Sequence, residues 1–184
     1  MKHLLAILIA MMLFSACKKE TQKPEEEVIY LGDATALKNG DTWSAKTSGK
    51  YFHTDTSTFS LLIENYTVDG YRRGSLLFMR IPYKNGTFFF NIYEYGTSSA
   101  NDTIQTCTFH TVLDDGDVVG DAYQLVRDSA AWLTVRIKDA STGDIEGEFS
   151  AEFVKWLYMG EEYDPASPDT IIFTNGTYNA RVQK

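Results

Sequence analysis

The chain has 184 residues, and its 25 acidic side chains outnumber its 17 lysines and arginines, which gives a net charge of −8 at pH 7. A negative surface repels phosphate backbones, so we expect no nucleic-acid partner. The length fits one domain with its own hydrophobic core, and such a domain should need neither a disulfide nor a metal ion for stability.

The first sixteen residues have the parts of a secretory signal peptide. A lysine near the start precedes the apolar run 4–14, which is too short to cross a bilayer as a helix of about 20 residues. Cys17 follows directly, and the whole segment resembles a bacterial lipoprotein signal peptide. We predict that residues 1–16 are removed and that Cys17 carries palmitate-type acyl chains as a membrane anchor. The alternatives are cleavage after Ala16 without lipidation and an uncleaved anchor.

Residues 17–27 are predicted to be the lipidated cysteine and a flexible tether. Residues 18–27 contain no apolar side chain, so they cannot bury enough surface to offset the entropy lost on ordering. The folded domain is then expected to span residues 28–184. Charged residues after the cysteine are similar to the start of lipoproteins of Gram-negative bacteria, so we predict an outer-membrane location on the periplasmic or cell-surface side.

Beyond residue 28 the hydrophobic pattern has a period of two, which is typical of β-strands. The clearest run is 145–153, in which apolar or small residues alternate with charged or hydroxyl residues. Shorter runs of the same kind occur at 59–63, 77–81, 133–138 and 178–182. We predict an all-β fold of about ten to twelve strands, an antiparallel β-sandwich of immunoglobulin-like character. The alternative is a lipocalin-like barrel that encloses a ligand cavity.

Dipeptides that tolerate positive φ separate these runs and predict tight turns. They are Asn39-Gly40, Asn85-Gly86, Asp115-Gly116, Thr142-Gly143 and Asn175-Gly176. Cys107 lies in a strand-like segment and is predicted to be a small buried residue. Because Cys17 is assigned to the lipid, Cys107 has no partner for a disulfide within the chain.

Two motifs carry a resemblance to a known family. Residues 39–45 read Asn-Gly-Asp-Thr-Trp-Ser-Ala, and residues 142–150 read Thr-Gly-Asp-Ile-Glu-Gly-Glu-Phe-Ser. They resemble motifs of small β-rich Bacteroidetes lipoproteins that are classed as domains of unknown function. The resemblance covers residues 36–183 and implies a hairpin with a buried tryptophan, Trp43. Glu148 stands where the resemblance leads us to expect threonine, and no activity is implied.

The segment 114–121 is the densest cluster of acidic residues. Its Asp115, Asp117 and Asp121 offer carboxylates to a calcium ion, which binds six to eight oxygen ligands. The EF-hand spacing is missing. The alternative is a solvated hairpin loop in which Asp121 enters the next strand. Apart from this calcium hypothesis we expect no cofactor.

Aromatic residues make up 14% of the chain, which is more than a small domain needs in its core. Trp156, Tyr158 and Tyr163 lie close together just before a proline-containing segment. Flat aromatic faces suit stacking on sugar rings or apolar ligands, so these three residues are the predicted ligand-binding surface. The alternative is that they cap one end of the core or form a cross-strand ladder.

The sequence contains no catalytic motif of the nucleophile-elbow, zinc-protease, dithiol or phosphate-loop kind. We therefore expect no enzyme, and we interpret the chain as a non-catalytic envelope lipoprotein that binds a glycan or small ligand. The alternative is a structural or interaction subunit of an envelope assembly without a small ligand. The predicted partners are the membrane, through the lipid, and a glycan or an envelope protein.

Overall fold

The computed structural model confirms the all-β prediction. It describes residues 29–52, 55–92, 104–113, 116, 118–156 and 164–183, and no residue in these ranges is helical. Its ten strands are β1 (Gly32–Lys38), β2 (Asp41–Phe52), β3 (Asp55–Tyr66), β4 (Arg72–Pro82), β5 (Gly86–Phe90), β6 (Thr106–Leu113), β7 (Val118–Leu125), β8 (Ala131–Asp139), β9 (Asp144–Trp156) and β10 (Thr170–Gln183).

Eight of these strands are linked by hydrogen bonds into a ring. Following the pairings leads from β1 through β2, β3, β4, β6, β7, β9 and β10 back to β1. All of these neighbours run antiparallel, and β10 also pairs with the end of β2 in parallel over two residues. The ring places each of its eight strands between two neighbours, which protects their backbone groups.

The ring is not a clean barrel, because β9 divides one of its edges between two partners. Its N-terminal part, from Asp144 to Ala151, pairs with β8, whereas Phe153 to Trp156 pair with β7. Strand β5 then pairs with β8 and ends the sheet. The fold is therefore sandwich- or barrel-like, and it combines features of the two predicted forms.

The inner faces of the strands meet in an aromatic core. Phe173 on β10 lies 5.4 Å from Phe109 on β6 and 6.5 Å from Phe149 on β9, measured between ring centres. Phe78 on β4 adds an edge-to-face contact with Phe149 at 5.9 Å. Cys107 is fully buried on the same inner face, as predicted. Aromatic rings fill this interior, so a ligand would bind on the outer faces of the strands.

The turn predictions have mixed outcomes. Asn39 and Gly40 have φ values of 52° and 90° and close the β1–β2 hairpin, and Gly143 has φ 80° between β8 and β9. The prediction of a turn at Asn175-Gly176 is wrong. These residues form a bulge inside β10, where the register with β9 shifts between Phe173 and Gly176.

The Asn85-Gly86 dipeptide does not close a hairpin either, because the strands it connects are not neighbours in the sheet. Strand β4 pairs with β3 and β6, whereas β5 pairs only with β8 among the strands. Asn85 nevertheless has a structural role, since its side-chain oxygen accepts a hydrogen bond from the backbone N–H of Ile137 at 2.7 Å. A turn dipeptide specifies backbone shape but not which strands pair, and that is the reason for both errors.

Candidate functional site

The predicted ligand surface around Trp156 is only partly visible in the structure. Trp156 is the last residue of β9, is half-buried, and pairs across the sheet with Ala122 of β7. Tyr158 and Tyr163 lie outside the described residues, as does Cys17. Whether the three aromatic residues form one surface therefore stays a prediction.

Of the three predicted calcium ligands only Asp121 lies in the described part of the chain, so the calcium site stays a prediction. Asp115 and Asp117 lie outside the described residues. The Asp121 carboxylate is buried, and its Oδ2 lies 3.7 Å from the Lys155 Nζ. Within the described ranges no group of three His, Cys, Asp or Glu side chains is placed to hold a metal ion.

A polar groove of about 360 Å³ crosses the outer faces of β1, β10, β9 and β8. Its polar lining residues are Asp33, Thr35, Thr134, Arg136, Glu146, Glu148, Thr177 and Asn179. The strand period explains this composition, because alternate residues of all four strands point away from the aromatic core. The volume lies near the lower end of the range for small-molecule sites.

Threonine hydroxyls form a row across the floor of the groove. The Thr35 and Thr177 Oγ1 atoms lie 3.1 Å apart on paired strands, and Thr177 pairs with Glu148 on β9. On the far side, the Glu148 N–H donates to the Thr134 Oγ1 at 2.7 Å. Each hydroxyl can both donate and accept a hydrogen bond, so the row suits a ligand that carries hydroxyl groups.

Gly147 and Tyr178 form the base of the groove. A Cβ added to Gly147 would lie 1.9 Å from the Thr134 carbonyl oxygen, so only glycine allows β8 to approach so closely. The Tyr178 ring covers the space beside this glycine, and its hydroxyl donates to the Thr134 carbonyl oxygen at 2.9 Å. Burial raises the pKa of Tyr178, so the phenol stays protonated and remains a donor.

Charged groups at the groove are largely paired with one another. Arg136 contacts Glu146 at 2.9 Å, and Lys46 contacts Asp33 at 2.6 Å. In the described part of the chain no basic side chain forms an ion pair with the Glu148 carboxylate. Glu148 is exposed in the middle of the threonine row. This carboxylate is therefore the acceptor in the groove that is most available to a ligand.

An aromatic pair borders the groove on the same outer face. Phe89 on β5 pairs directly with Trp132 on β8, and Phe89 is 55% exposed whereas Trp132 is half-buried. Trp132 precedes Thr134 by two residues, so their side chains lie about 7 Å apart along the strand. An apolar surface thus meets a hydroxyl-rich surface within the span of one small ligand.

The sequence analysis missed this aromatic pair, although the pattern held a signal. The alternation of Leu133 and Val135 with Thr134 and Arg136 implies that Trp132 lies on the outward face of that strand. The sequence gives no such signal for Phe89, because this residue stands between two phenylalanines in an unbroken apolar run. Its exposed position followed only from the pairing of β5 with β8.

A second polar cluster surrounds Glu64 on the outer face of β3. This carboxylate is 2% exposed and accepts hydrogen bonds from the hydroxyls of Tyr30 and Tyr66 and from the Arg72 Nη1, the last at 3.0 Å. Burial, reinforced by the Glu64 carboxylate, raises the pKa of Tyr30. His110 lies close by, and burial lowers its pKa.

The Glu64 cluster is best explained as a structural anchor. Its carboxylate oxygens already accept three donors, so little capacity remains for a ligand. The bond from Tyr30 fixes the first described residues of the chain against β3. Arg72 also donates from Nε to the Gly116 carbonyl oxygen at 3.1 Å, which joins the β3–β4 and β6–β7 turns.

No known protein family, curated protein or solved structure matches this chain. The resemblance to β-rich Bacteroidetes lipoproteins therefore stays a prediction from the two motifs. No helix in the described ranges has the length and hydropathy needed to cross a membrane.

Proposed function

We propose that this chain is a lipid-anchored lipoprotein of the outer membrane whose β domain is a non-catalytic module that binds a short glycan. The groove and the adjacent pair of Phe89 and Trp132 form its contact surface. The observation that supports this proposal most directly is that the pair of exposed Phe89 and half-buried Trp132 shares one outward sheet face with a row of hydroxyls.

The chemistry of this face matches that of a sugar. The faces of sugar rings carry C–H groups that pack on aromatic rings, whereas their edges carry hydroxyls. Trp132 and Phe89 can stack on the ring face while Thr134 and Thr177 exchange hydrogen bonds with the edge. The Glu148 carboxylate can accept hydrogen bonds from two neighbouring hydroxyls at once, and a charged acceptor makes such bonds stronger.

The anchor supports the same proposal. In the proposed mature chain, Cys17 carries the acyl chains and residues 18–28 link it to the first described residue. A tethered binding module holds its ligand close to the membrane and so raises the local concentration of that ligand. The negative net charge favours a neutral glycan over an anionic polysaccharide.

A glycan array with aromatic variants tests the binding surface. The full-length protein, kept in a detergent without a sugar head group, should bind a subset of neutral glycans. Trp132→Ala should weaken that binding about tenfold or more, which corresponds to about 1.4 kcal/mol. Trp156→Ala is the matched control, because it removes a half-buried tryptophan from a strand end outside the groove, and it should leave binding unchanged.

Two results would contradict the proposal. If the wild-type protein binds no glycan, the assigned ligand class is wrong. If Trp156→Ala abolishes binding while Trp132→Ala does not, the ligand binds at the surface that the sequence predicted and not at the groove. Circular dichroism of each variant shows whether a loss of binding reflects a loss of fold.

A further inference from the structure

One end of the molecule presents apolar side chains to solvent. Five exposed residues, at the end of β3, in the turn between β3 and β4 and at the start of β7, form the surface that we name the apolar tip. They are Tyr66, Val68, Tyr71, Val118 and Val119. Val68 is fully exposed at a turn position, where valine is unusual, and Val119, near the start of β7, is 53% exposed. Clustered exposed apolar residues of this kind mark an interaction site more often than isolated ones do.

The turn between β3 and β4 lies against Gly116, the described residue of the turn between β6 and β7. The Thr67 N–H donates to the Tyr71 carbonyl oxygen at 2.8 Å, and this tight hairpin projects Val68 from its end. Arg72 joins the two turns through its bond to Gly116. A Cβ added to Gly116 would lie 2.8 Å from the Arg72 backbone nitrogen, which shows how closely the turns approach. The apolar tip is thus a preformed surface.

The start of the described chain contacts this tip through the side chain of Tyr30. The rings of Tyr30 and Tyr66 are in edge contact, with centres 5.9 Å apart, and their hydroxyls are hydrogen-bonded at 2.7 Å. Ile29 and Leu31, which flank Tyr30, are themselves exposed apolar residues. The Ile29 carbonyl oxygen accepts a hydrogen bond from the Gln183 side chain at 3.3 Å, so Tyr30 is the residue that connects the start of the domain with the tip.

The length of the tether brings the tip within reach of the lipid. Ile29 lies twelve positions after Cys17. A flexible segment of this length has a typical end-to-end distance of about 20 Å. Its fully extended length is about 40 Å. If Cys17 is held at the bilayer surface, a tether of this length lets the apolar tip reach that surface.

We propose that the apolar tip inserts into the interfacial region of the bilayer that holds Cys17, and that it orients the domain on the membrane. This inference rests on the lipidation in the proposed function. Valine side chains would enter the acyl boundary, while the Tyr66 and Tyr71 phenols would lie at the level of the head groups, where tyrosine is enriched.

The charge near the tip selects the kind of lipid. Asp69 stands beside Val68 in the first turn, and the sequence places Asp114, Asp115 and Asp117 directly before Val118. These carboxylates would be repelled by anionic head groups. The tip should therefore insert into zwitterionic lipid and insert less when anionic lipid is added.

A fluorescence quenching experiment on the full-length lipidated protein tests this inference. Val68→Cys is labelled with a fluorophore, which is selective because the other thiol, Cys107, is fully buried. The protein is bound to phosphatidylcholine vesicles whose acyl chains carry bromine as a quencher. The label at position 68 should be quenched at least twofold more than a label on Ala140→Cys, an exposed position in the β8–β9 turn. Adding phosphatidylglycerol should reduce the difference.

A second variant separates insertion from anchoring. Val119→Asp adds a charge to the tip and should lower quenching at position 68, while flotation of the protein with the vesicles through Cys17 stays unchanged. Flotation with equal quenching at positions 68 and 140 overturns the docking proposal and leaves the lipid anchor in place. Absence of flotation overturns the anchor and, with it, this inference. Dimer formation in detergent that buries Val68 would assign the tip to a second copy of the chain and also overturns docking.

Discussion

At the scale of single residues, the groove depends on one glycine. Gly147 lies in β9 opposite Tyr178, and its missing side chain lets the tyrosine ring and the β8 backbone meet above it. A strand interior normally disfavours glycine, so its presence marks a close approach that another residue would block. The contact with the Thr134 carbonyl oxygen is the one that requires this glycine.

Gly147→Ala should lower the free energy of unfolding by about 1–3 kcal/mol, because the new methyl group would overlap the Thr134 carbonyl oxygen and force the strands apart. Urea denaturation followed by circular dichroism measures the change. Glu148→Ala is the matched control, since its side chain is exposed on the next residue and the substitution should change stability by no more than about 0.5 kcal/mol. An unchanged midpoint for Gly147→Ala would show that the strands do not approach as described.

At the scale of elements, a buried ion pair holds residues 164–169, which lead into β10. The Lys155 ammonium lies 3.7 Å from the Asp121 carboxylate and donates to the Ser167 carbonyl oxygen at 2.9 Å. Tyr123 adds a bond from its hydroxyl to the Pro168 carbonyl oxygen at 2.9 Å. Strands β7 and β9 thus hold the proline-containing segment against the end of the ring.

Lys155→Met should destabilise the protein by about 3 kcal/mol or more, because it leaves the Asp121 carboxylate buried without its lysine. The double variant Asp121→Leu with Lys155→Met should recover part of this loss, since it removes both charges. Urea denaturation of the two single variants and the double variant gives the coupling energy. Arg127→Met is the control, because the Arg127–Glu152 pair is exposed and should contribute less than about 1 kcal/mol. Equal losses for Lys155→Met and Arg127→Met would refute this role.

The contact between Asp121 and Lys155 also shows why the acidic segment 114–121 is hard to interpret from sequence. The spacing of Asp115, Asp117 and Asp121 is compatible with a cation-binding loop, and nothing in the spacing shows which side chain turns inward. The register of β7 places Asp121 on the face of Tyr123 and Leu125, where Lys155 meets it. One of the three carboxylates of the calcium hypothesis is therefore buried beside Lys155, and the other two lie outside the described residues.

At the scale of the whole molecule, the proposed anchor, the groove and the apolar tip are separate features of the chain. Tyr30 connects the segment that leads to the proposed anchor with the tip, because its side chain contacts Glu64 and Tyr66. The groove lies on the outer faces of β1, β10, β9 and β8, away from the strand β3 that carries this contact. Such an arrangement allows a domain to touch a membrane at one place and a ligand at another.

Replacing Cys17 should release the protein from the membrane without unfolding the domain. In a Gram-negative host the wild-type protein should partition with the membrane fraction and incorporate labelled palmitate, because more than one acyl chain gives stable anchoring. Cys17→Ala should appear in the soluble fraction and incorporate no label, whereas Cys107→Ala, the other cysteine variant, should behave like the wild type. Equal incorporation into Cys17→Ala and the wild type would exclude Cys17 as the lipidated residue.

The sequence by itself determined the strand content and, for much of the chain, which side chains face inward and which face outward. A hydrophobic period of two carries this information, because alternate residues of a strand face the core. It also supplied the hairpin at Asn39-Gly40 and the buried positions of Trp43 and Cys107. These features are local, since each depends on neighbours along the chain or on a backbone angle that a residue type favours. The signal peptide, the lipidation of Cys17 and the family resemblance remain predictions from sequence alone.

Only the tertiary structure decided which strands are neighbours. The pairing of these strands in turn decided which residues form the candidate site. The groove joins residues that lie more than 140 positions apart, such as Thr35 and Thr177, and the pair of Phe89 and Trp132 spans another long separation. The Asn175-Gly176 bulge was misread for the same reason. Strand pairing is set by the packing of many side chains in the core, and no short stretch of sequence records it.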